Sequence, residues 1–566
     1  MSGAQSMARL GRVSVMAVLL GILALLVVSP LVMTLIASFS TQVPFSGGPP
    51  GHFTLDNYRN LFVPELATAT WNTLIIAVGG TVMAVSIGAT LAWLAARTDI
   101  PCKPLVHLVG LMPLFVSLVV ASVTWSVLGS GRSGYLNIIL RSLGVDWQID
   151  MRSLTGITIL HGLYYVPYSY ILLFGAFSLI HPEMEQAASV HGASAAKVLR
   201  RITFPLVRPA LLGAILLSFV AMAEEFPVPA ILGGPVGIET LSTRIFNLMT
   251  RVPGEPNQAA SVGILLTAIV SGLVWLQRRL LQGRDFRTVT GKGMRAQMLP
   301  LGVFRWIALG IVLFYAFVSL GLPLAALAIG ALRQGMFIRD AAALFDINSF
   351  SLQALKTTLA DDHVRQAVVN TLVTGLATAF FGTTLYFILA YVVMRTKLPG
   401  RQMLEYLAMV PLALPALVMG IGVLWTWLAM PVPVYGTLLV LIIAFTGRLL
   451  PQGMRAIGAS IGQIHDDLEH AAMISGATRP QAIYRITLPL MRGAVVSSAF
   501  LTLVLATREL TSSLLLYTTN TRVLSVVIYE AYEQGLWSFV ASISLIYTVL
   551  LLVLTLIGRR WMRSTF

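Results

Sequence analysis

The sequence has 566 residues, of which 57% are hydrophobic and 11% are charged, and its formal net charge is +15. Soluble domains carry about 25% charged residues, so this composition excludes a soluble protein and indicates an integral membrane protein. The single cysteine, Cys102, excludes a disulfide within the chain and an all-cysteine metal site.

Twelve apolar stretches are long enough to cross a bilayer, which takes about 20 residues. The first is too long for a signal-peptide core and lacks a clear small-residue cleavage site, so we expect it to be retained. We therefore predict an all-α integral membrane protein with twelve transmembrane helices. The predicted spans lie near residues 13–38, 70–96, 105–128, 155–180, 207–232, 258–277, 303–332, 366–394, 403–429, 434–454, 492–516 and 537–558.

A polar stretch after the fourth span, residues 185–211, recurs after the tenth span as residues 469–495. Detailed repetition is not typical of ordinary membrane-surface hairpins, so we interpret the stretch as one contact made twice. The two copies align in a single register, pairing Glu185 with Glu469, Ala187 and Ala188 with Ala471 and Ala472, Gly192 and Ala193 with Gly476 and Ala477, and Pro205 with Pro489.

The residue types in this repeat predict a short exposed helix between two turns. Gly192 and Gly476 can adopt the left-handed conformation that ends a helix, and the serine or threonine two residues later can cap a new one. In the second copy Pro480 falls in the first helical turn, where its missing N–H is not needed. The new helices are expected to end near Phe204 and Leu488, because a residue before proline disfavours the helical conformation.

Other parts of the chain also recur, which indicates two fused six-span modules. Both modules start and end on the same side of the membrane, so they are parallel repeats. We predict a first module at 1–277, a linker at 278–302 and a second module at 303–566. The further repeated segments are Phe53-Thr54-Leu55 with Phe350-Ser351-Leu352, and Asn72-Thr73-Leu74 with Asn370-Thr371-Leu372.

The distribution of charge predicts the orientation. With both termini in the cytoplasm, most Lys and Arg residues and both repeated stretches fall on the cytoplasmic side, as the positive-inside rule requires. The net charge therefore reflects orientation, and no nucleic-acid partner is needed to explain it. The linker is strongly basic, which favours contact with anionic lipid. Its segment from Gly283 to Lys292 lacks phosphate-loop spacing, so no ATP site is expected in this chain.

Acidic and basic residues follow the fifth and eleventh spans at aligned positions, Glu224-Glu225 and Arg508-Glu509. Ionisable groups near hydrocarbon usually face a bundle interior or an aqueous path. We expect Glu225 and Glu509 to face each other across the pseudo-twofold axis, with Arg508 compensating part of the charge. Two interpretations stay open, a polar lining or gate of the translocation pathway and a structural Glu–Arg pair at the outer rim.

Prolines within the third and ninth spans, Pro113, Pro411 and Pro415, are expected to kink those helices. The histidines, which include His161 in the fourth span, show no spacing typical of metal ligands, so we predict no metal site.

The repeated stretch resembles the signature of ABC importer membrane subunits, E-A-A, three residues, G, nine residues and I-x-L-P. The family's glutamate position falls on Gln186 and His470, one residue after Glu185 and Glu469. The resemblance implies the type I ABC importer permease fold. It also implies that the loops near 184–208 and 468–492 form coupling helices, which dock in a groove of the cytoplasmic ATPase.

Within that family the two-module fusion, the segment after Glu509 and the late segment 524–530 resemble the fused permeases for ferric iron. The resemblance implies a bacterial inner-membrane transport subunit that is not itself an enzyme. Its partners would be a periplasmic binding protein and two copies of an ATPase, which would carry ATP and Mg. Permeases for aminoalkylphosphonate, thiamine and polyamines share this architecture, so these substrates remain alternatives.

A secondary transporter of six plus six spans is a more distant alternative. It would need coupling acids deep in the spans, and it gives no reason for twin loops. A membrane-embedded enzyme has less support, because no nucleophile–base spacing stands out.

Overall fold

The structure, a computed structural model, describes residues 14–44, 51–180, 184, 187–188, 190–281, 298–333, 338, 340–344 and 346–565. In these ranges the chain is almost entirely helical, and its β pairing consists of three isolated bridges. Eight helices are long and apolar enough to cross a membrane. They are Ser14–Ser38, Pro64–Arg97, Leu199–Ala223, Pro256–Leu276, Phe304–Leu332, Asp362–Arg395, Leu438–Ile461 and Trp537–Gly558.

Four further pairs of helices meet the same test but are bent at a short break. Counting each pair as one span gives twelve spans that overlap the twelve predicted ones, although the fifth and eleventh end at Ala223 and Thr507, nine residues before their predicted ends. The all-α fold with twelve membrane helices in two repeats is thereby confirmed. The pairs are Lys103–Phe115 with Leu118–Leu128 (95°), Leu154–Tyr164 with Val166–Ser178 (41°), Arg401–Leu412 with Ala416–Ala429 (114°), and Arg479–Leu490 with Arg492–Thr507 (75°).

Short helices connect the spans and cover their ends. They are Asp56–Arg59, Gly131–Ser133, Tyr135–Ser142, Ala195–Val198, Pro229–Gly233, Gly234–Val236, Leu241–Thr250, Ala341–Leu344, Ile347–Ser349, Gln353–Ala360, Asp467–Ile474, Ser513–Leu516 and Leu524–Glu533.

The sharpest bends lie at the prolines of the third and ninth spans. There the helix tightens into the 3₁₀ turns Met112–Phe115 and Val410–Leu412, which contain Pro113 and Pro411. Proline has no N–H to donate and its ring clashes with the carbonyl one turn back, so the helix cannot continue straight. The predicted kinks are confirmed, and both modules place a broken helix at the same point.

The helices of the repeated stretch do not end before their prolines, so that part of the prediction is wrong. Phe204 (φ −60°, ψ −47°) and Leu488 (φ −64°, ψ −44°) are both helical. Each follows a five-residue π turn, Leu199–Thr203 or Ile483–Thr487. A π turn pairs each N–H with a carbonyl five residues back, which changes the local geometry around the proline ring and lets the helix continue.

The first helix of the chain packs against the second module. Thr34 lies with its hydroxyl 3.5 Å from the carbonyl oxygen of Val418. Helix Ala416–Ala429 approaches so closely that a Cβ on Gly422 would lie 2.1 Å from the carbonyl oxygen of Pro30. Glycine is therefore required at this crossing.

The seventh span, which opens the second module, packs in turn against the first module. The hydroxyl of Tyr164 donates to the carbonyl of Ser319 at 2.9 Å, and that of Tyr315 donates to the carbonyl of Leu163 at 2.9 Å. The first helix of each module therefore packs against the other module, an exchange that the sequence did not predict.

The repeated Asn-Thr pairs make the same hydrogen bonds in both modules. The amide of Asn72 donates to the Glu239 carbonyl at 2.8 Å, and that of Asn370 donates to the Arg522 carbonyl at 2.9 Å. The threonine after each asparagine accepts a backbone N–H at 2.9 Å. The repeated sequence therefore reflects a repeated tie between the start of a span and the segment that follows the fifth or eleventh span.

The linker residues 282–297, including the segment from Gly283 to Lys292, lie outside the described residues. Beyond them the chain joins the turn between the second and third spans of the first module. There Asp99 donates its N–H to Leu299 at 3.2 Å and accepts the N–H of Leu301 on its side chain at 2.7 Å. The boundaries 1–277, 278–302 and 303–566 stay predictions.

Candidate functional site

The two repeated loops share one backbone conformation. The N–H of Ala193 donates to the Ala188 carbonyl, and that of Ala477 donates to the Ala472 carbonyl, both at 3.0 Å. This bond is the helix-ending pattern that requires a left-handed residue just before it. Those residues are glycines with φ of +78° and +91°, so the predicted left-handed turns at Gly192 and Gly476 are confirmed.

The second loop then starts a new helix as predicted. Thr478 and Gln481 form a reciprocal capping box, in which the N–H of Thr478 donates to the Gln481 side chain at 2.8 Å. Pro480 lies in the first turn of this helix. The helix therefore has a fixed beginning before it reaches its π turn.

Glu469 lies inside the second loop, with 5% of its surface exposed. Its carboxylate accepts hydrogen bonds from the hydroxyls of Tyr391, at 2.6 Å, and Thr487, at 2.5 Å. The guanidinium of Arg479 donates to the Tyr391 hydroxyl at 3.3 Å. Glu469 thus binds the loop to the end of the eighth span. The residue aligned with it in the first loop, Glu185, lies outside the described residues.

An arginine at the end of the second span of each module holds the approach to each loop. Arg97 donates to the carbonyl of Ile180 at 3.2 Å, and Arg395 donates to the aligned carbonyl of Ile464. Arg395 also forms an ion pair with Asp466. Both loops are therefore fixed to their spans by repeated contacts.

Apolar side chains on both loops point into open space. Val190 is 86% exposed and its aligned residue Ile474 is 88% exposed. Leu206 and Leu490, also aligned, are about half exposed. Single exposed apolar residues are common, but here the same positions are exposed in both copies. The repeated motif residues alone gave no signal for these positions.

Between the modules, Glu225 and Glu509 have equivalent backbone roles. Glu225 accepts the N–H of Val228 at 3.2 Å, and Glu509 accepts the N–H of Ser512 at 3.1 Å. The carbonyls of both glutamates accept a serine hydroxyl, at 2.6 Å and 2.9 Å. The repeated glutamate caps the same turn in each module.

The charged partners of the two glutamates differ, and Arg508 forms no ion pair with either of them in the part of the chain that the structure describes. Arg448, in the tenth span, places Nε 3.4 Å from Glu509 and Nη2 3.5 Å from Glu224. Arg508 donates to the carbonyl of Leu114, at the break in the third span. Arg448 therefore links a carboxylate of the first module to one of the second, a bridge that the repeat pattern did not predict.

Glu225 lies against His161, whose Nε2 is 3.2 Å from the carboxylate oxygen Oε2. The His161 side chain is fully buried and that of Glu225 is 4% exposed. Aligning the fourth span with the tenth pairs His161 with Phe445 and Tyr164 with Arg448. These two differences between the modules could have indicated the charged cluster from the sequence, because in each a more polar residue replaces a less polar one within a span.

In the described part of the chain, no three His, Cys, Asp or Glu side chains come together in a group that could hold a metal ion. The candidate site thus consists of two features. One is the pair of loops with buried anchors and exposed apolar residues, and the other is the charged cluster where the modules meet.

Comparison with known proteins finds transport system permease proteins among the relatives. The ferric transport system permease protein FbpB of Actinobacillus pleuropneumoniae is 27% identical over 433 residues, which cover 75% of this chain and 61% of that protein. The chain thus spans about three fifths of that relative's length. The spermidine/putrescine transport system permease protein PotB of Haemophilus influenzae is 27% identical over 184 residues, 32% of this chain and 64% of that protein.

A solved structure of a bacterial ABC transporter involved in the import of the acidic polysaccharide alginate also matches. It has a TM-score of 0.36 and 18% identity, and the match covers 41% of this chain and 84% of that chain. The family described as the binding-protein-dependent transport system inner membrane component matches residues 80–285 and 382–564, one segment in each module. The chain therefore belongs to this family of inner-membrane transport components.

Proposed function

We propose that the chain is the membrane-spanning permease of an ATP-driven ABC importer, which receives a small ligand from a periplasmic binding protein and passes it to the cytoplasm. The observation that carries the proposal is the pair of loops with the same glycine-ended helix and the same exposed apolar position, in a chain of this family. Two equivalent loops fit two copies of one ATPase.

The loops would supply the docking surface. Val190 and Ile474 offer an apolar anchor to each ATPase, while Glu469 holds the second loop from behind. The coupling roles of Ala187, Ala188, Ala193, Pro205, Ala471, Ala472, Ala477 and Pro489 follow from their places in these loops. ATP and Mg would be bound by the ATPase, and both termini would lie with the loops in the cytoplasm.

Ferric iron is the proposed substrate. Its support is the likeness to the ferric transport permease over three quarters of this chain. Polyamines are a second candidate, supported by the shorter match to the spermidine/putrescine permease. Aminoalkylphosphonate and thiamine rest on the sequence resemblance alone.

The charged cluster is proposed as a gate of the translocation pathway. The bridge from Glu224 through Arg448 to Glu509 joins the two modules, and Arg508 ties the second module to the broken third span of the first. A relative motion of the modules would have to separate these partners. Separating these partly buried charges from their partners would be unfavourable, which favours the closed state.

Reconstitution in proteoliposomes tests the function. Together with a partner ATPase and a binding protein, the chain should take up ferric iron, and the ATPase should hydrolyse ATP in response to the loaded binding protein. The chain alone should hydrolyse no ATP. Uptake of spermidine in place of iron would select the second substrate. Uptake driven by an ion gradient without ATP would contradict the proposal and favour a secondary transporter.

A further inference from the structure

We propose that His161 and Glu225 form a buried proton-binding pair in the first module. The geometry of the imidazole ring carries the argument. The ring nitrogen Nδ1 lies 2.9 Å from the carbonyl oxygen of Ile157. A carbonyl can only accept a hydrogen bond, so Nδ1 must carry a hydrogen.

A neutral ring that is protonated at Nδ1 presents a lone pair at Nε2. That lone pair would lie 3.2 Å from the carboxylate oxygen of Glu225, although the two atoms are not aligned as a hydrogen bond. A lone pair beside a carboxylate is repelled at this distance, whereas a proton on either atom makes the contact attractive. Whether the proton sits on His161 or on Glu225, the pair holds one proton more than a neutral imidazole and a carboxylate.

Burial makes this proton necessary on energetic grounds as well. Among the residues that the structure describes, the carboxylate oxygen Oε1 of Glu225 has no hydrogen-bond partner. The other oxygen receives the N–H of Val228 at 3.2 Å. A buried carboxylate with so few donors is costly, whereas the protonated pair carries no net charge.

The side chains packed directly on the pair supply no counter-charge. Tyr165 stacks on the His161 ring with centroids 5.9 Å apart, and Tyr168 stacks on Tyr165. Gly80 of the second span lies against the Cβ of His161. Ser242 donates to the backbone carbonyl of Glu225. The two tyrosines are the titratable groups among these neighbours, and neither can be a cation.

The charged groups nearby pair with one another or with the backbone. Glu224 and Glu509 face the guanidinium of Arg448, and Arg508 donates to the carbonyl of Leu114. Among the described residues His161 is therefore the ion-pair partner of Glu225.

The two modules thus compensate the charge of the capping glutamate in different ways. The capping glutamate of the second module has a permanent cation, Arg448, and a phenylalanine, Phe445, at the position of His161. The capping glutamate of the first module has a removable proton. The second-module site holds no such proton, so the pair makes the two halves of the cluster chemically different.

This inference does not depend on the proposed transport function, and its test needs no transport. The full chain would be labelled with isotopic histidine and glutamate and placed in lipid nanodiscs. Nitrogen NMR reports which imidazole nitrogens carry hydrogen, and infrared spectroscopy reports a protonated carboxyl group. His161→Phe, which copies the second module, identifies the His161 signals among those of the eight histidines.

Near neutral pH we expect hydrogen on both nitrogens of His161, or a protonated carboxyl band that Glu225→Gln removes. In Glu225→Gln the amide can donate to Nε2 directly, so His161 should become neutral with hydrogen on Nδ1 only. This variant also identifies the signals if His161→Phe does not fold. A neutral wild-type His161, together with no protonated-carboxyl band from Glu225, would overturn the proposal. An Nδ1 atom that carries no hydrogen would overturn it as well.

Discussion

Replacing Glu469 by alanine should loosen the second loop without touching its outer surface. The carboxylate is the acceptor for two buried hydroxyls, those of Tyr391 and Thr487. Each buried donor that loses its acceptor costs about 1–3 kcal/mol. Together the loss is about 2–6 kcal/mol, which raises the open population of the loop by roughly 30-fold to 20,000-fold, since about 1.4 kcal/mol corresponds to tenfold.

Two matched variants calibrate this prediction. Glu469→Gln keeps one carbonyl oxygen and adds an amide that donates to the second hydroxyl oxygen, so it should cost less than the alanine variant. Adding Tyr391→Phe to Glu469→Ala removes one of the hydroxyls that have lost their acceptor. The double variant should therefore recover part of the lost loop stability.

Hydrogen exchange of residues Arg479–Leu490 in nanodiscs measures the loop directly, and co-purification of the ATPase measures docking. We expect Glu469→Ala to speed exchange and to weaken docking together. Unchanged exchange and unchanged docking would refute the anchoring role. Unchanged exchange with lost docking would show that Glu469 contacts the ATPase itself.

Four other outcomes are expected. Gly476→Val should strain the left-handed turn by about 1–2 kcal/mol and reduce ATPase co-purification, because open space around the Cβ leaves conformation as the only obstacle. Arg448→Met should lower thermal stability by about 3–5 kcal/mol and alter ATPase coupling, whereas unchanged coupling favours a purely structural pair. Gly422→Ala should lower the melting temperature, while Gly213→Ala, which has open space, should not. Glu225→Gln should change the rate of transport if Glu225 lines the pathway, whereas a normal rate would favour a structural pair at the rim.

Hydrophobic length and internal repetition made the spans and the two modules predictable. These signals are local, or depend on one part of the chain resembling another. The left-handed glycines were predictable for the same reason, since Gly192 and Gly476 stand at one position of a repeated pattern. The continuation of the helix through Phe204 and Leu488 was not predictable, because a π turn leaves no clear mark in residue type.

The cluster between the modules was only half predictable. The alignment located Glu225 and Glu509, but their partners lie in other spans and differ between modules. Arg448 aligns with Tyr164, so the repeat pattern hides the arginine that completes the bridge. Long-range pairing depends on how spans pack, and apolar sequences specify this weakly because many faces are equally hydrophobic.

The exchange of first helices has a consequence for biogenesis. Thr34 meets its neighbour Val418 across 384 residues of chain. At a synthesis rate of about 5–20 residues per second, the first helix waits roughly 20–80 s in the bilayer before that neighbour exists. During this interval the face that it later turns to the second module is open to lipid and to other nascent helices, although its C-terminal end meets the sixth span, where Asn257 donates to the carbonyl of Ala37 at 2.9 Å. Insertion factors that shield this open face would therefore matter for the first helix, and the second module would complete the first during synthesis.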